Sequence, residues 1–557
     1  MRPFYRSLLP VLILLLTFYT CKGQSYYFMH YQVDDGLAHN TIITLIQDSK
    51  GFMWIGTKDG LNRFDGYTFK TFKNDQNKFG KIGNNIIVSI CEDRKGMIWV
   101  GTGKGIFKYD PYLELFRELN LPIVAAVTHI NADHKNNLWF LANGKLQYFD
   151  QEKNKVTNTG LTATCLAVDR FRNVWMGRSD GTIQKYVPQT KSLTTIQIID
   201  KDLPDILKFI TKLLPTDDGT ILIGTSKLGA KYYTIKTGTV KSLILGNKEN
   251  TDIYVRDIIA SGKREYWIAT ESGIYTYNFS SDRSRNLKKI NGDNYSITDN
   301  AVYSLCKDKQ GGLWAGTFFG GLNYYSSENA RFKKYYQVNG LNSIAGNAIR
   351  EISSDNNNNI WIGTEDAGIN KLNTKTGTFY NYTPTGQASN LSYTNIHGLL
   401  AFNDQLFIGP FIRGLEIMDI KTGLITDRFK LIGVNENKVS DFVMCIYLTA
   451  DNTLLIGTTG HGQGLFSFDL KKKVFAKYGS LPNNSNVYSI LEDHTGTIWV
   501  GSPDRGTFYF NQKNGTKGNI SFIEKNDSPS NVDFLIQGIF EDSQHSLWFA
   551  TEGGGLI

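Results

Sequence analysis

The chain has 557 residues, more than one ordinary hydrophobic core organises, so it is expected to divide into more than one domain. Apolar residues make up 41% and charged residues 20%, the balance of a folded soluble protein, which excludes both a disordered chain and a membrane-embedded one. The formal charge of +8 falls to +5 once Arg2, Arg6 and Lys22 of an N-terminal leader are set aside, too weak over this length to indicate a nucleic-acid binder.

That leader, "MRPFYRSLLPVLILLLTFYTCKGQ", has a basic start, an apolar stretch from Leu8 to Phe18, and small residues at Cys21 and Gly23. The stretch is too short to span a bilayer comfortably, so residues 1–23 read as a secretory signal peptide cleaved after Gly23. The rival reading makes Cys21 a lipid-bearing N-terminus. No later stretch is long and apolar enough to cross a membrane as a helix.

From here one sentence is written again and again: "GFMWIGTKDGLNRFDG" at Gly51, "GMIWVGTGKGIFKYDP" at Gly96, "GGLWAGTFFGGLNYYS" at Gly311, "GTIWVGSPDRGTFYFN" at Gly496. Anchoring on its tryptophan gives Trp54, Trp99, Trp139, Trp175, Leu222, Trp267, Trp314, Trp361, Phe407, Leu455, Trp499 and Trp548. All nine tryptophans fall on this series, at intervals of 36 to 49 residues. Each unit has an alternating apolar strand, a polar turn that is often Asp-x-x-Gly, the Trp-x-Gly-Thr strand, a Gly-containing turn, and a third strand ending in an aromatic-Asp pair. A less regular aromatic strand follows. The richness in Gly (54), Tyr (29) and Phe (33) against 12 Pro agrees with short strands and tight turns. Four antiparallel strands at this period predict an all-β chain of propeller blades, each burying its tryptophan against the next. Glycines two residues after the anchor, such as Gly56, Gly101 and Gly316, leave room for that contact.

Twelve units exceed one ordinary ring, which predicts two tandem β-propellers. "YYFMHYQVDDGLAHN" before the first unit parallels "RFKKYYQVNGLNSIAGN" after the seventh. The strand at Phe28 to Gln32 is therefore expected to join the Trp314 blade and close a first, seven-bladed ring over residues 24–328. Phe332 to Gln337 is expected to open a second ring over residues 329–557, incomplete at about five blades where the chain stops in its twelfth repeat. Cys91, Cys165, Cys306 and Cys445 occupy first-strand positions in different blades, eight or ten residues before the anchor, so free buried thiols are expected in place of disulfides.

"DGLAHNTIITLIQDSKGFMWIGTKDGLNRFDGYTF" resembles the two-component regulator propeller repeat, and the likeness extends over almost the whole mature chain. The first, second, seventh, eighth and eleventh units fit best; the third, fifth, ninth and tenth depart. The resemblance implies the periplasmic sensor half of a hybrid histidine kinase, paired as a homodimer in the full-length protein. It further implies a C-terminal stalk, one membrane helix, a kinase core and a receiver, none of them within these residues.

The Asp box of propeller glycosidases places Asp and Trp five apart, whereas Asp48 and Trp54, and Asp93 and Trp99, are six apart and recur from blade to blade. Repetition marks a turn-former, since a catalytic carboxylate pair would be unique. His134 and His494 fall in first turns and His461 in "GHGQG", with no His-x-His or His-Glu-x-x-His spacing, so no metal is expected. No nucleotide cradle is present, and no cofactor or catalytic residue is assigned. The loops of one propeller face carry Lys58, Asp59, Lys104, Arg178, Asp180, Lys227, Glu271, Phe318 and Phe319, with His39, Asn40, Asn85 and Asn300 where first strands begin. Lys58, Lys104, Arg178, Glu271, Phe318 and Phe319 are the candidate ligand contacts, because aromatic rings stack on sugars and cations meet carboxylate or sulfate. The leading expectation is a periplasmic sensor of an oligosaccharide; the alternatives are a propeller glycosidase or lyase, and a protein-interaction scaffold.

Overall fold

The computed structural model describes residues 26–557 apart from 76–79, 122–124, 134, 244–250, 327, 329–331, 339–341, 433–438, 441, 461–463, 480, 483–484, 504 and 521–534. The expected signal peptide, His134 and His461 lie outside the described residues. Among the described residues the regular structure is strand, with two single 3-10 turns at Val33–Asp35 and Asp205–Leu207. The strands form eleven antiparallel sheets of four, one of three and one of two. All-β architecture in four-stranded, blade-like sheets is thus observed.

The first sheet shows why the repeat folds this way. Its strands are Ile42–Gln47, Met53–Thr57, Gly60–Phe64 and Phe69–Phe72, paired in chain order. Met53–Thr57 is buried along its whole length, which is why the Trp-x-Gly-Thr strand is apolar on both faces. Every anchor position lies in the second strand of its sheet.

The chain forms two compact units divided between Lys333 and Lys334. In the first unit, seven four-stranded sheets follow one another. Each first strand touches the next, from Ile42–Gln47 and Ile87–Glu92 onward, and Val302–Lys307 touches Ile42–Gln47 in turn. The sheet of Val302–Lys307, Leu313–Thr317 and Leu322–Tyr325 takes its fourth strand from Phe28–Tyr31, with Phe28 opposite Tyr325. Apolar cores lie between sheets: Trp54 is buried among Ile98, Tyr109 and Phe116 of the second sheet, and Trp314 among Ile42, Leu45 and Phe64 of the first. A Cβ on Gly316 would come within 2.4 Å of Ile42 Cγ2, and one on Gly56 within 2.6 Å of Ile87 Cγ2. Both glycines are small because the next sheet's first strand stands there.

In the second unit, four-stranded sheets begin at Ile349, Ile396, Val443 and Ser489, and a three-stranded sheet contains Leu535–Glu541, Leu547–Glu552 and Gly555–Leu556. Phe332 lies in no strand and is exposed. Cys91, Cys165, Cys306 and Cys445 are all free. Burial pushes the thiols of Cys165 and Cys306 up to about 12.

The turn aspartates are structural. Asp48 accepts the Trp54 indole N–H at 2.8 Å through Oδ2 and the backbone N–H groups of Lys50 and Phe52 at 2.9 Å through Oδ1. The same indole bond recurs from Trp99, Trp175, Trp314, Trp361, Trp499 and Trp548 to the aspartate six residues earlier. Where the anchor is Leu222 or Leu455, the turn residue is Thr216 or Thr449, which still accepts the backbone N–H four residues on.

Candidate functional site

A cavity of ≈ 460 Å³ in the first unit is lined by its first strands. One repeat position, ten residues before the anchor, supplies Thr44, Ser89, His129, Lys212, Asp257 and Ser304 to the lining. Lys212 Nζ lies 2.7 Å from Asp257 Oδ1, and Asp257 Oδ2 accepts the Leu305 N–H at 2.9 Å. Burial lowers the Lys212 affinity for a proton, but the adjacent Asp257 carboxylate outweighs it and raises the pKa. Burial, aided by the Lys212 charge, holds His129 down to about 4 and keeps it neutral. The cavity wall therefore carries a paired cation and anion beside an uncharged imidazole.

Six of the seven first strands of this unit are bulged at their second residue: register breaks occur between Ile42 and Thr44, Ile87 and Ser89, Val127 and His129, Ile210 and Lys212, Val255 and Asp257, and Val302 and Ser304. A bulge re-aims the extra side chain. In four of these sheets that residue is Ile43, Val88, Thr128 or Thr211, but in the last two it is Arg256 and Tyr303. Both line the cavity. The Arg256 guanidinium lies 4.3 Å from the centre of the Tyr303 ring and 4.0 Å from that of Tyr254, and ion-pairs with Glu271.

Tyr303 extends this group toward the loops. Its ring is 5.0 Å from Phe318, Phe318 is 4.4 Å from Phe319, and Lys58 Nζ sits 4.3 Å over Phe318. Phe319 is 72% exposed, yet its backbone N–H is pinned to Asp299 Oδ2 at 2.9 Å. An exposed aromatic held by a fixed backbone is a preorganised stacking surface, since little ordering is left to be done on binding. Of the sequence candidates, Lys58, Glu271, Phe318 and Phe319 are thus joined in one cluster, together with Arg256, Tyr303 and Tyr254.

Lys104 and Arg178 stand elsewhere. Lys104 occupies the turn between Ile98–Thr102 and Gly105–Asp110, where its backbone N–H bonds Thr102 Oγ1 at 3.2 Å. Arg178 donates to the carbonyl and hydroxyl of Thr162 at 2.9 Å and lies 3.8 Å from Asp180, so its charge is engaged within its own loops. Asp180 and Lys227 line a second hollow of ≈ 580 Å³ with Ile206, Phe209 and Tyr254. Tyr254 borders both this hollow and the Arg256 cluster. Asn40, Asn85 and Asn300 are occupied with loop backbone, accepting from Val33, Asn74 and Lys289.

Sequence reasoning missed Arg256 and Tyr303 because it searched turns, and they lie inside strands. The signal was present as a departure from the repeat, eleven residues before the anchor. It also missed a cluster in the second unit, where His494 and His545 both face Glu541.

Five stretches, residues 36–59, 80–104, 296–319, 343–366 and 480–504, match the family described as two component regulator propeller. Each runs from before a first strand to the turn after the second, so three of them carry Lys58, Lys104, Phe318 and Phe319. Histidine kinase P4 of Formosa agariphila is 41% identical over 54 residues, which is 10% of this chain and 4% of that protein, so this chain covers only a small part of it. The extracellular domain of BT3049 of B. thetaiotaomicron, described as a hybrid two component system, superposes with a TM-score of 0.62 at 19% identity, over 96% of this chain and 83% of that one. The extracellular domain of the hybrid two component system BT4673 of the same organism matches with a TM-score of 0.48 at 18% identity, over 95% and 76%. Repeat and sheet geometry coincide with these matches: five stretches of the chain carry the two component regulator propeller repeat.

Proposed function

We propose that the chain is the extracellular, periplasmic ligand-reading half of a hybrid two-component system. Its first unit is a closed seven-bladed propeller, and its second begins another. Closure is supported by the Phe28–Tyr31 edge pairing and by the contact of Val302–Lys307 with Ile42–Gln47. Openness of the second unit is supported by apolar positions that the first unit buries. Ile352 is 65% exposed, whereas Leu45, at the same repeat position, is 5% exposed. Signalling runs to a histidine kinase outside these residues, with two sensor halves pairing.

The ligand is an oligosaccharide, bound at the cavity mouth of the first unit. The observation that carries this reading is the cluster of Phe319, Phe318, Lys58, Tyr303 and Arg256. It offers pinned aromatic faces for pyranose rings beside two cations suited to carboxylate or sulfate substituents. Binding that differs between two arrangements of these loops would bias the output; equal binding to both would transmit nothing. The test is calorimetry with neutral and acidic oligosaccharides on the chain and on Phe319→Ala, Arg256→Ala and Arg178→Ala. The first two variants are expected to lose at least tenfold in affinity and Arg178→Ala little. Unchanged affinity in Phe319→Ala and Arg256→Ala would move the site. Release of shortened sugars during incubation would make the protein a propeller glycosidase or lyase.

A further inference from the structure

We infer that His494, Glu541 and His545 form a divalent transition-metal site that staples the last two described sheets together. His494 follows Asp493 in the turn between Ser489–Glu492 and Ile498–Ser502. Glu541 ends the strand Leu535–Glu541, and His545 lies in the turn leading to Leu547–Glu552. One ligand atom from each of the three residues falls within 4.8 Å of the others. Glu541 Oε1 is faced by Nδ1 of His494 and, at 3.2 Å, by Nδ1 of His545; the two rings are 4.0 Å apart.

The other repeats show what has been added here. A side chain ending the first strand of one sheet latches the turn of the preceding sheet. Glu92 accepts the Ser49 N–H at 2.8 Å, Glu492 the Ala450 N–H at 2.6 Å, Gln47 the Lys309 N–H at 2.7 Å, and Glu541 the His494 N–H at 2.9 Å. The latch needs no histidine. Where His494 stands, other turns have Ser49, Arg94, Arg170, Lys309 and Ala450. Where His545 stands, with φ 65°, other turns have Gly51, Gly96, Gly311 and Gly496 in the same left-handed conformation. Two imidazoles have thus been placed around a carboxylate already held by the fold, one of them where glycine is the easier choice.

Two imidazoles and a carboxylate suit Zn²⁺, or Ni²⁺ and Cu²⁺, and not Mg²⁺ or Ca²⁺, which take oxygen ligands. The ligand atoms need to converge to about 2.0–2.2 Å from the ion, a movement open to side chains that are 47% and 58% exposed. A neutral imidazole binds through Nδ1 by shifting its proton to Nε2, so binding from the neutral pair releases no proton; a protonated one releases it to solvent. Three protein ligands leave a fourth position for water.

The fold supplies its own controls. His545→Gly installs the residue other repeats use, and His494→Ser reproduces the Ser49 latch, so both variants keep the turn. The full chain, stripped with chelator and dialysed, is titrated with Zn²⁺ alone in a calorimeter and then melted with and without Zn²⁺. One Zn²⁺ per chain is expected, with a raised melting temperature, and at least a tenfold weaker affinity in each variant. Absence of binding, affinity no tighter than for Mg²⁺, or unchanged affinity in both variants would overturn the site.

Discussion

The Asp48 carboxylate accepts three hydrogen bonds at once, closing a turn through two backbone N–H groups and fixing the Trp54 indole between sheets. It is 6% exposed, so removing it leaves an indole N–H and two amides short of an acceptor. Asp48→Ala is expected to cost about 1.5–3 kcal/mol, the range for hydrogen bonds to a charged group, measured by thermal or urea unfolding. A loss below that of a surface substitution would mean the carboxylate is idle. His129 and Glu351 act at the same scale through protons. The folded chain holds His129 down to about 4 from 6.5, so the unfolded chain binds more protons in that window and the first unit loses stability as pH falls through it. Burial pushes Glu351 up to about 7 from 4.5, against the lowering effect of Arg350, so there the folded chain binds more protons. The second unit accordingly loses stability as pH rises from 4.5 toward 7. Calorimetric melts across this range should show opposite trends in the two units, flattened by His129→Asn in the first and by Glu351→Gln in the second. Parallel trends would refute both assignments.

At the scale of the element, the aspartate and tryptophan behave as one part. Where Leu222 and Leu455 replace tryptophan, no indole is available to a carboxylate, and threonine takes the turn. An acid lacking its buried donor keeps the desolvation penalty without the bond. Trp54→Leu should therefore be strongly destabilising, and adding Asp48→Thr should recover about 1–2 kcal/mol, a positive coupling in a double-mutant cycle. Strict additivity would show that the pairing is incidental. Two sheets dispense with the turn aspartate, one of them while keeping Trp267: Phe402 and Gln405 are joined by Asn403 and Asp404, both at positive φ, and Gly262 and Glu265 by Lys263 and Arg264. A two-residue hairpin of this kind needs no side-chain acceptor to set its register.

For the whole molecule, the strand Phe28–Tyr31 matters out of proportion to its length. It covers the edge of the sheet at Leu322–Tyr325 and places Phe28 in the core with Trp267 and Leu305. Deleting residues 26–32 should lower the melting temperature of the first unit and leave that of the second unchanged; a shift shared equally by both would argue against this local role. Thiol titration of unfolded, unreduced residues 24–557 should return about four groups, matching the free Cys91, Cys165, Cys306 and Cys445, and a lower count would reveal a disulfide.

What the sequence determined by itself was everything that repeats. Strand alternation, the Asp-x-x-Gly turn and the Trp-x-Gly-Thr core strand act over fewer than about ten residues, a range in which chain chemistry dictates local structure. Lys58, Phe318 and Phe319 were legible for that reason, as occupants of turns whose place the period sets. Tertiary structure alone decided which repeats meet. Phe28 pairs with Tyr325 within one sheet, while Arg256 reaches Tyr303 and His494 faces Glu541 across neighbouring sheets. Each joins side chains separated by one repeat or by the length of a unit. Their distance is set by which strands pair and how one sheet packs on the next, a geometry that no short stretch of sequence encodes.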